Sequence, residues 1–237
     1  MLLLVEGEKA EPRLLKHFYS LYDKSEIEIV SFNTNIYVMY KFLKEYYSNV
    51  EGEIDYQSID LVLFLNDFFN RAGDDKLDRN SFSDILLIFD FEPHDQLFNI
   101  GVIKELIINF NNSTDVGKLY INYPMLESYK DIGSSDIDEF GKSKVSTNEL
   151  QNYKQLVGSR TIFSDLRKVD KTVGKQIIDF HKSKIKLITE QETIEDNIYS
   201  KLCDIQCKEH QLYQSVFIIN TSIIHFYEEY GGLEVSN

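Results

Sequence analysis

Apolar residues first occur as an unbroken run, Leu2 to Val5, closed by Glu6 and Gly7. A continuous run this short predicts a strand buried on both faces. Next come Leu14, Leu15, Phe18, Leu21 and Tyr22, the spacing of a helix over 11–22, and Pro12 suits its first turn. IEIVSF at 27–32 predicts a second strand. Helical spacing returns over 34–47 and 57–70, and RAGDDKLDRNS at 71–81 reads as a loop. DILLIFDFE at 84–92 is the most strand-like stretch of the chain, and Pro93 ends it. A helix over 95–111, a strand over 117–124 and a helix opening at MLESYKDI follow. This alternation predicts an α/β fold with a parallel-rich sheet flanked by helices.

FGKSKVSTNELQNYK at 140–154 reads as a loop leading into a helix, and mostly helical patterns then fill 148–157, 161–183, 192–209 and 213–230. The β-branched residues of QSVFIINTSIIHFY suit a strand as well. The chain therefore divides into an α/β part, 1–135, and a mostly helical C-terminal part, 136–237, expected to meet substrate or partner. The apolar run 216–227 is either the core of that part or a face covered by a second chain or another copy of this one.

Composition narrows the class. With three prolines and 11 glycines in 237 residues, no stretch reads as a long flexible linker. No apolar run approaches the roughly 20 residues of a membrane span, so a cytoplasmic protein is expected. Cys203 and Cys207 suit a reducing compartment. Their i, i+4 spacing predicts two small buried residues on one helix face, with a metal motif through His210 the rarer reading.

The net charge of −14 opposes bulk attraction to nucleic acid. It is uneven: residues 1–157 carry −12, residues 158–186 carry +5, and residues 187–237 carry −7. Arg160, Arg167, Lys168, Lys171 and Lys175 in the basic island are candidate contacts for a nucleic-acid backbone. Lys142 and Lys144, in a loop with glycine and serine, are further candidates. Such islands are also common as the solvated face of a helix.

Acids collect at the predicted strand ends: Glu6 after the first strand, Asp90 and Glu92 after the third, and Glu127 one turn beyond the fourth. Carboxyl ends of parallel strands converge on one edge, where ligands gather. The period of two in Asp90-Phe91-Glu92 predicts both acids on one side of the strand. Clustered hard oxygens suit Mg²⁺ or Mn²⁺, and Gly7 allows close approach of a phosphate to the backbone.

A Glu-Gly pair closing the first strand, followed by an Asp-x-acid pair closing a later one, resembles the Toprim domain. LLLVEGEKAEP is similar to the start of its RloB-like and OLD-type nuclease branch. The resemblance covers about residues 1–132; Glu92 departs from it by standing where the family usually has aspartate. It implies a nuclease in which Glu6, Asp90 and Glu92 hold Mg²⁺ or Mn²⁺, with Glu11, Asp95 and Glu127 available to a second ion. His94, beside these acids, is a candidate to protonate the leaving group. The chain contains no G-x-x-x-x-G-K-[ST] phosphate loop. The resemblance further implies the toxic effector of an anti-phage system, controlled by an ABC-type ATPase from a neighbouring gene. Two other readings stay open: a non-catalytic module docking on such an ATPase, and a domain binding a phosphorylated ligand.

Overall fold

The computed structural model describes residues 1–22, 26–194 and 197–230. Its central sheet contains β1 (Leu2–Val5), β2 (Glu28–Ser31), β3 (Ile85–Asp90), β4 (Asn111–Asn112) and β5 (Gly117–Asn122). They are ordered β2-β1-β3-β5-β4, parallel except for β4, which pairs antiparallel with β5. Every side chain of β1 and β3 is buried, as expected of parallel strands covered on both faces. The helices joining them are α1 (Ala10–Leu21), α2 (Ile36–Tyr47), α3 (Leu61–Phe68) and α4 (Ile100–Asn109). From β1 the chain moves to β2 on one side and later to β3 on the other. The crevice at the carboxyl ends of β1 and β3 is therefore a topological switch point, the usual place for a ligand in an open α/β sheet.

The C-terminal part contributes α5 (Ile137–Lys142), β6 (Lys144–Ser146), α6 (Tyr153–Arg160), α7 (Lys171–Thr189), α8 (Ile198–Tyr213), β7 (Ser215–Phe217) and α9 (Ile224–Tyr230). It shares one apolar core with the sheet: α7 packs on α1, and α8 on α4. Phe226 of α9 sits among Phe18, Tyr19 and Tyr22. The run 216–227 belongs to that core, with Val216, Ile218, Ile219, Ile223, Ile224 and Phe226 all buried within the chain itself.

Several expected helices are altered; the one expected over 95–111 runs from Ile100 to Asn109, with Asn111–Asn112 in β4, and the one over 57–70 starts with a separate 3-10 turn, Tyr56–Ser58. The segment opening at Met125 forms a single 3-10 turn, Leu126–Lys130. The helix expected over 161–183 starts at Lys171, where Asp170 caps it by accepting the Val173 N–H. Before it lies an irregular stretch whose turn is capped by Asp165. The pattern over 213–230 is broken by Gln214 at φ 52°, after which β7 pairs with β6 and only α9 is helical. Within the expected helix 192–209, residues 195 and 196 lie outside the described residues. Cys203 and Cys207 are free thiols buried on α8, their Sγ atoms 3.8 Å apart, and the His210 ring packs against Phe91 and Phe98. Among the described residues, no helix is long and apolar enough to cross a membrane.

Candidate metal centre at the sheet edge

Glu6 leaves β1 at the switch point, and its Oε2 accepts the backbone N–H of Asp90, the last residue of β3, at 3.2 Å. The two acids are thus neighbours across the crevice although 84 residues separate them. Asn122, paired with Asp90 at the end of β5, donates its amide to Asp90 Oδ1 at 3.3 Å. The Leu126 N–H also supports the Asp90 carboxylate.

These residues open onto a cleft of about 570 Å³, lined by Glu6, Glu11, Asp90 and Glu127 together with Lys9 and Lys154. Glu11, at the start of α1, folds back so that the N–H groups of Gly7 and Glu11 itself reach its carboxylate. A Cβ at position 7 would lie 2.8 Å from Glu11 Oε2, so a larger residue there would push this flexible carboxylate aside. Glu127 comes from the 3-10 turn; its Oε1 pairs with Lys154 Nζ at 3.3 Å. Its Oε2 is buried without a hydrogen-bond partner.

Burial and mutual repulsion shape the electrostatics. Desolvation, followed by the charge of Glu92, pushes the Glu6 carboxyl up to about 8. Asp90, Glu11 and Glu92 are also held above their usual ranges, burial being the first cause in each. Burial works against the charge of Lys154, but Glu127 and the other acids outweigh it and raise its affinity for a proton.

Glu92 reaches this site by a different route from the one its spacing predicts. β3 ends at Asp90, and Glu92 takes a left-handed backbone, φ 37°. Strand alternation therefore does not relate the two acids. Glu92 does not line the cleft, yet its charge is the one that raises Glu6 most after burial. Asp95 accepts a hydrogen bond from the Asn35 side chain at 2.9 Å and, like Glu92, stands outside the lining. His94 is exposed beside Glu92, also outside the lining.

None of the seven basic candidates lines the cleft. Arg160 is a bidentate partner of buried Asp131, at 2.6 and 2.5 Å, and Tyr153 donates to the same carboxylate at 2.7 Å. Lys144 is paired with Glu209 at 2.8 Å. Arg167 grips Asp165 of its own turn. Lys142, Lys168 and Lys171 are exposed and Lys175 is half-buried. The cations at the cleft are instead Lys9 and Lys154. Asn33 and Thr34 complete its wall just past β2, where the strand-end rule alone would have pointed.

Among the described residues, no three His, Cys, Asp or Glu side chains stand ready as an ion cage. The donor set nevertheless fits a divalent cation. It offers hard carboxylate oxygens, one of them buried and unpartnered, and a repulsion that a cation would relieve. Compared with protein families, characterised proteins and solved structures, the chain matches none.

Proposed function

We propose that the chain is a Mg²⁺- or Mn²⁺-dependent nuclease of the Toprim type, cleaving phosphodiester bonds of DNA or RNA, tRNA included. The observation that carries this reading is the meeting of Glu6 and Asp90 at the switch point, with Glu11 and Glu127 in the same cleft. These four residues would hold the cations, and Glu92 and Asp95 add negative charge at the rim. Bound there, divalent cations supply an activated water and stabilise the leaving oxygen of an in-line displacement.

The chain's own residues prepare the site. Asn122 and the Leu126 N–H fix the direction of Asp90. Gly7 lets the Glu11 carboxylate lie close against the backbone beside Glu6. Lys154, whose side chain is 71% exposed, can turn from Glu127 towards a non-bridging phosphate oxygen. That offsets charge which the acids would otherwise repel.

The same proposal makes the protein the toxic effector of an anti-phage system restrained by an ABC-type ATPase from a neighbouring gene. The absence of a phosphate loop in this sequence and the net charge of −14 support a division of labour. Glu92, standing outside the cleft lining, favours a second reading, a non-catalytic module that docks on such an ATPase or binds a phosphorylated ligand.

Incubation with labelled DNA, RNA and tRNA plus Mg²⁺ or Mn²⁺, with and without the neighbouring gene product, tests both readings. Metal-dependent cleavage by the wild type and its loss in Asp90→Asn, at unchanged circular dichroism, are expected. Wild-type cleavage by Asp90→Asn would exclude catalysis at this site.

A further inference from the structure

Beside the acid cleft lies a second depression of about 200 Å³, lined by Arg13, Leu14, Tyr129, Lys130, Ser164 and Asp165 among others. The two share Ala10, Leu126 and Glu127 as a common wall. Two elements cross that wall, and each carries a cation into the groove. On α1, Arg13 lies three residues beyond Ala10, on the same helix face. In the 3-10 turn, Lys130 lies three residues beyond Glu127, and side chains at that spacing eclipse one another.

The groove sets two cations, Arg13 and Lys130, among two carboxylates, Glu127 and Asp165, in an acidic protein. Neither Arg13 nor Lys130 forms an ion pair with another described residue. Asp165 is already held by the Arg167 guanidinium at 2.9 and 3.0 Å. Glu127 on the shared wall is paired with Lys154. Lys130 Nζ stands 5.9 Å from the Tyr129 ring centre, so the cations flank a largely buried aromatic floor.

We infer that the Arg13–Lys130 groove is a phosphate-binding subsite for the polynucleotide backbone next to the linkage held in the acid cleft. This rests on the nuclease reading and extends it: the basic island supplies less of the track than the two cations on the shared wall. A chain whose net charge repels a polyanion needs a local positive path beside its cleft, and Glu127 forms the boundary between path and cleft.

The test compares wild type, Arg13→Ala/Lys130→Ala and a control of equal charge loss elsewhere, Lys41→Ala/Lys44→Ala. Binding of fluorescent single-stranded DNA, single-stranded RNA and duplex DNA is measured against salt, with Ca²⁺ replacing Mg²⁺; cleavage of each is measured with Mn²⁺. Losing two phosphate contacts should lower the slope of log K against log salt by about 1.4–1.8, and weaken binding roughly tenfold or more near 0.1 M salt. The control should keep the wild-type slope. An unchanged slope in the groove variant, alongside wild-type cleavage, overturns the subsite and leaves the nuclease reading standing. Equal losses in groove variant and control also overturn it, because they report net charge alone. Failure of the wild type both to bind and to cleave overturns the two together.

Discussion

Replacing Glu6 by Gln should stabilise the metal-free protein while removing its response to metal. In the unfolded chain at pH 7, Glu6 is ionised, its ordinary value being 4.5; in the folded cleft it is raised to about 8 and is mostly protonated. Folding must therefore take up a proton about 2.5 units above the ordinary value. At about 1.4 kcal/mol per unit this costs roughly 3 kcal/mol. Glutamine needs no proton, and its carbonyl oxygen can still accept the Asp90 N–H. For a chain of this size, each kcal/mol moves Tm by about 2–4 °C, so a rise of at least about 5 °C is expected in chelator. The sign with pH follows from the raised value. Wild type loses stability relative to the variant as pH rises from 4.5 to 8, so the gap should nearly close at pH 4.5 and be widest near pH 8. Adding Mn²⁺ should raise Tm of the wild type by ligand linkage and leave the variant almost unmoved. Differential scanning fluorimetry across pH, with and without Mn²⁺, measures both effects. Equal Tm in chelator at every pH, or equal Mn²⁺ shifts in the two proteins, would refute the reasoning.

Gly7→Ala presses a methyl group against the flexible end of Glu11, so Tm in chelator should change by only a few degrees while Mn²⁺ stabilisation shrinks. Arg160→Ala leaves Asp131 buried without its cation and should cost about 3–5 kcal/mol by urea unfolding; a neutral result would return Arg160 to the candidates for substrate contact. Buried His225 is lowered from 6.5 to about 3, so as pH falls through that window the unfolded chain binds a proton that the native state refuses. Relative to wild type, His225→Phe should therefore gain up to about 1.4 kcal/mol per pH unit between 6 and 4, and a pH-independent difference would contradict the burial assigned to this ring.

Four strands of the sheet were legible as short apolar or alternating runs, whereas β4, two exposed asparagines at the end of the helix expected over 95–111, was not; Glu6 and Asp90 were legible because buried parallel strands end on one edge. Glu92 was harder: periodicity describes a strand, and this strand stops two residues earlier, at a left-handed backbone that the alternation does not announce. For Arg160 and Arg167 in the basic island, charge in the sequence counted ions without their partners. Arg160 looked like a free cation and instead neutralises buried Asp131, while Arg167 serves its own turn. Lys154 sits in the cleft through the packing of α6 near the 3-10 turn, a long-range contact with no local signature. The 3-10 turn itself reads as helix because three-residue and four-residue spacings are hard to tell apart over five positions.

Polar residues within the last apolar run explain why the C-terminal part cannot be separated from the site. Ile219 bridges Tyr123, the Asn220 side chain donates to Leu126 O at 2.9 Å, and Thr221 Oγ1 donates to Ile121 O at 2.8 Å. The Ser222 N–H reaches Asn122 Oδ1 at 3.3 Å, while the other end of the same amide faces Asp90. Asn122 thus has its orientation set from both sides, accepting from the C-terminal segment and donating to the acid. Asn220 in turn gives its N–H to His181 of α7 at 3.1 Å. A connected path of hydrogen bonds therefore runs from α7 through residues 220–222 to Asp90 and to the turn bearing Glu127. Force applied by a partner on the C-terminal helices has a physical route to the acids without contact at the cleft. Coupling along that route requires a second arrangement of residues 219–222, and the burial of their hydrogen-bonded side chains makes intermediate positions costly. The brace that holds Asp90 is in this sense also the element a regulator would have to displace.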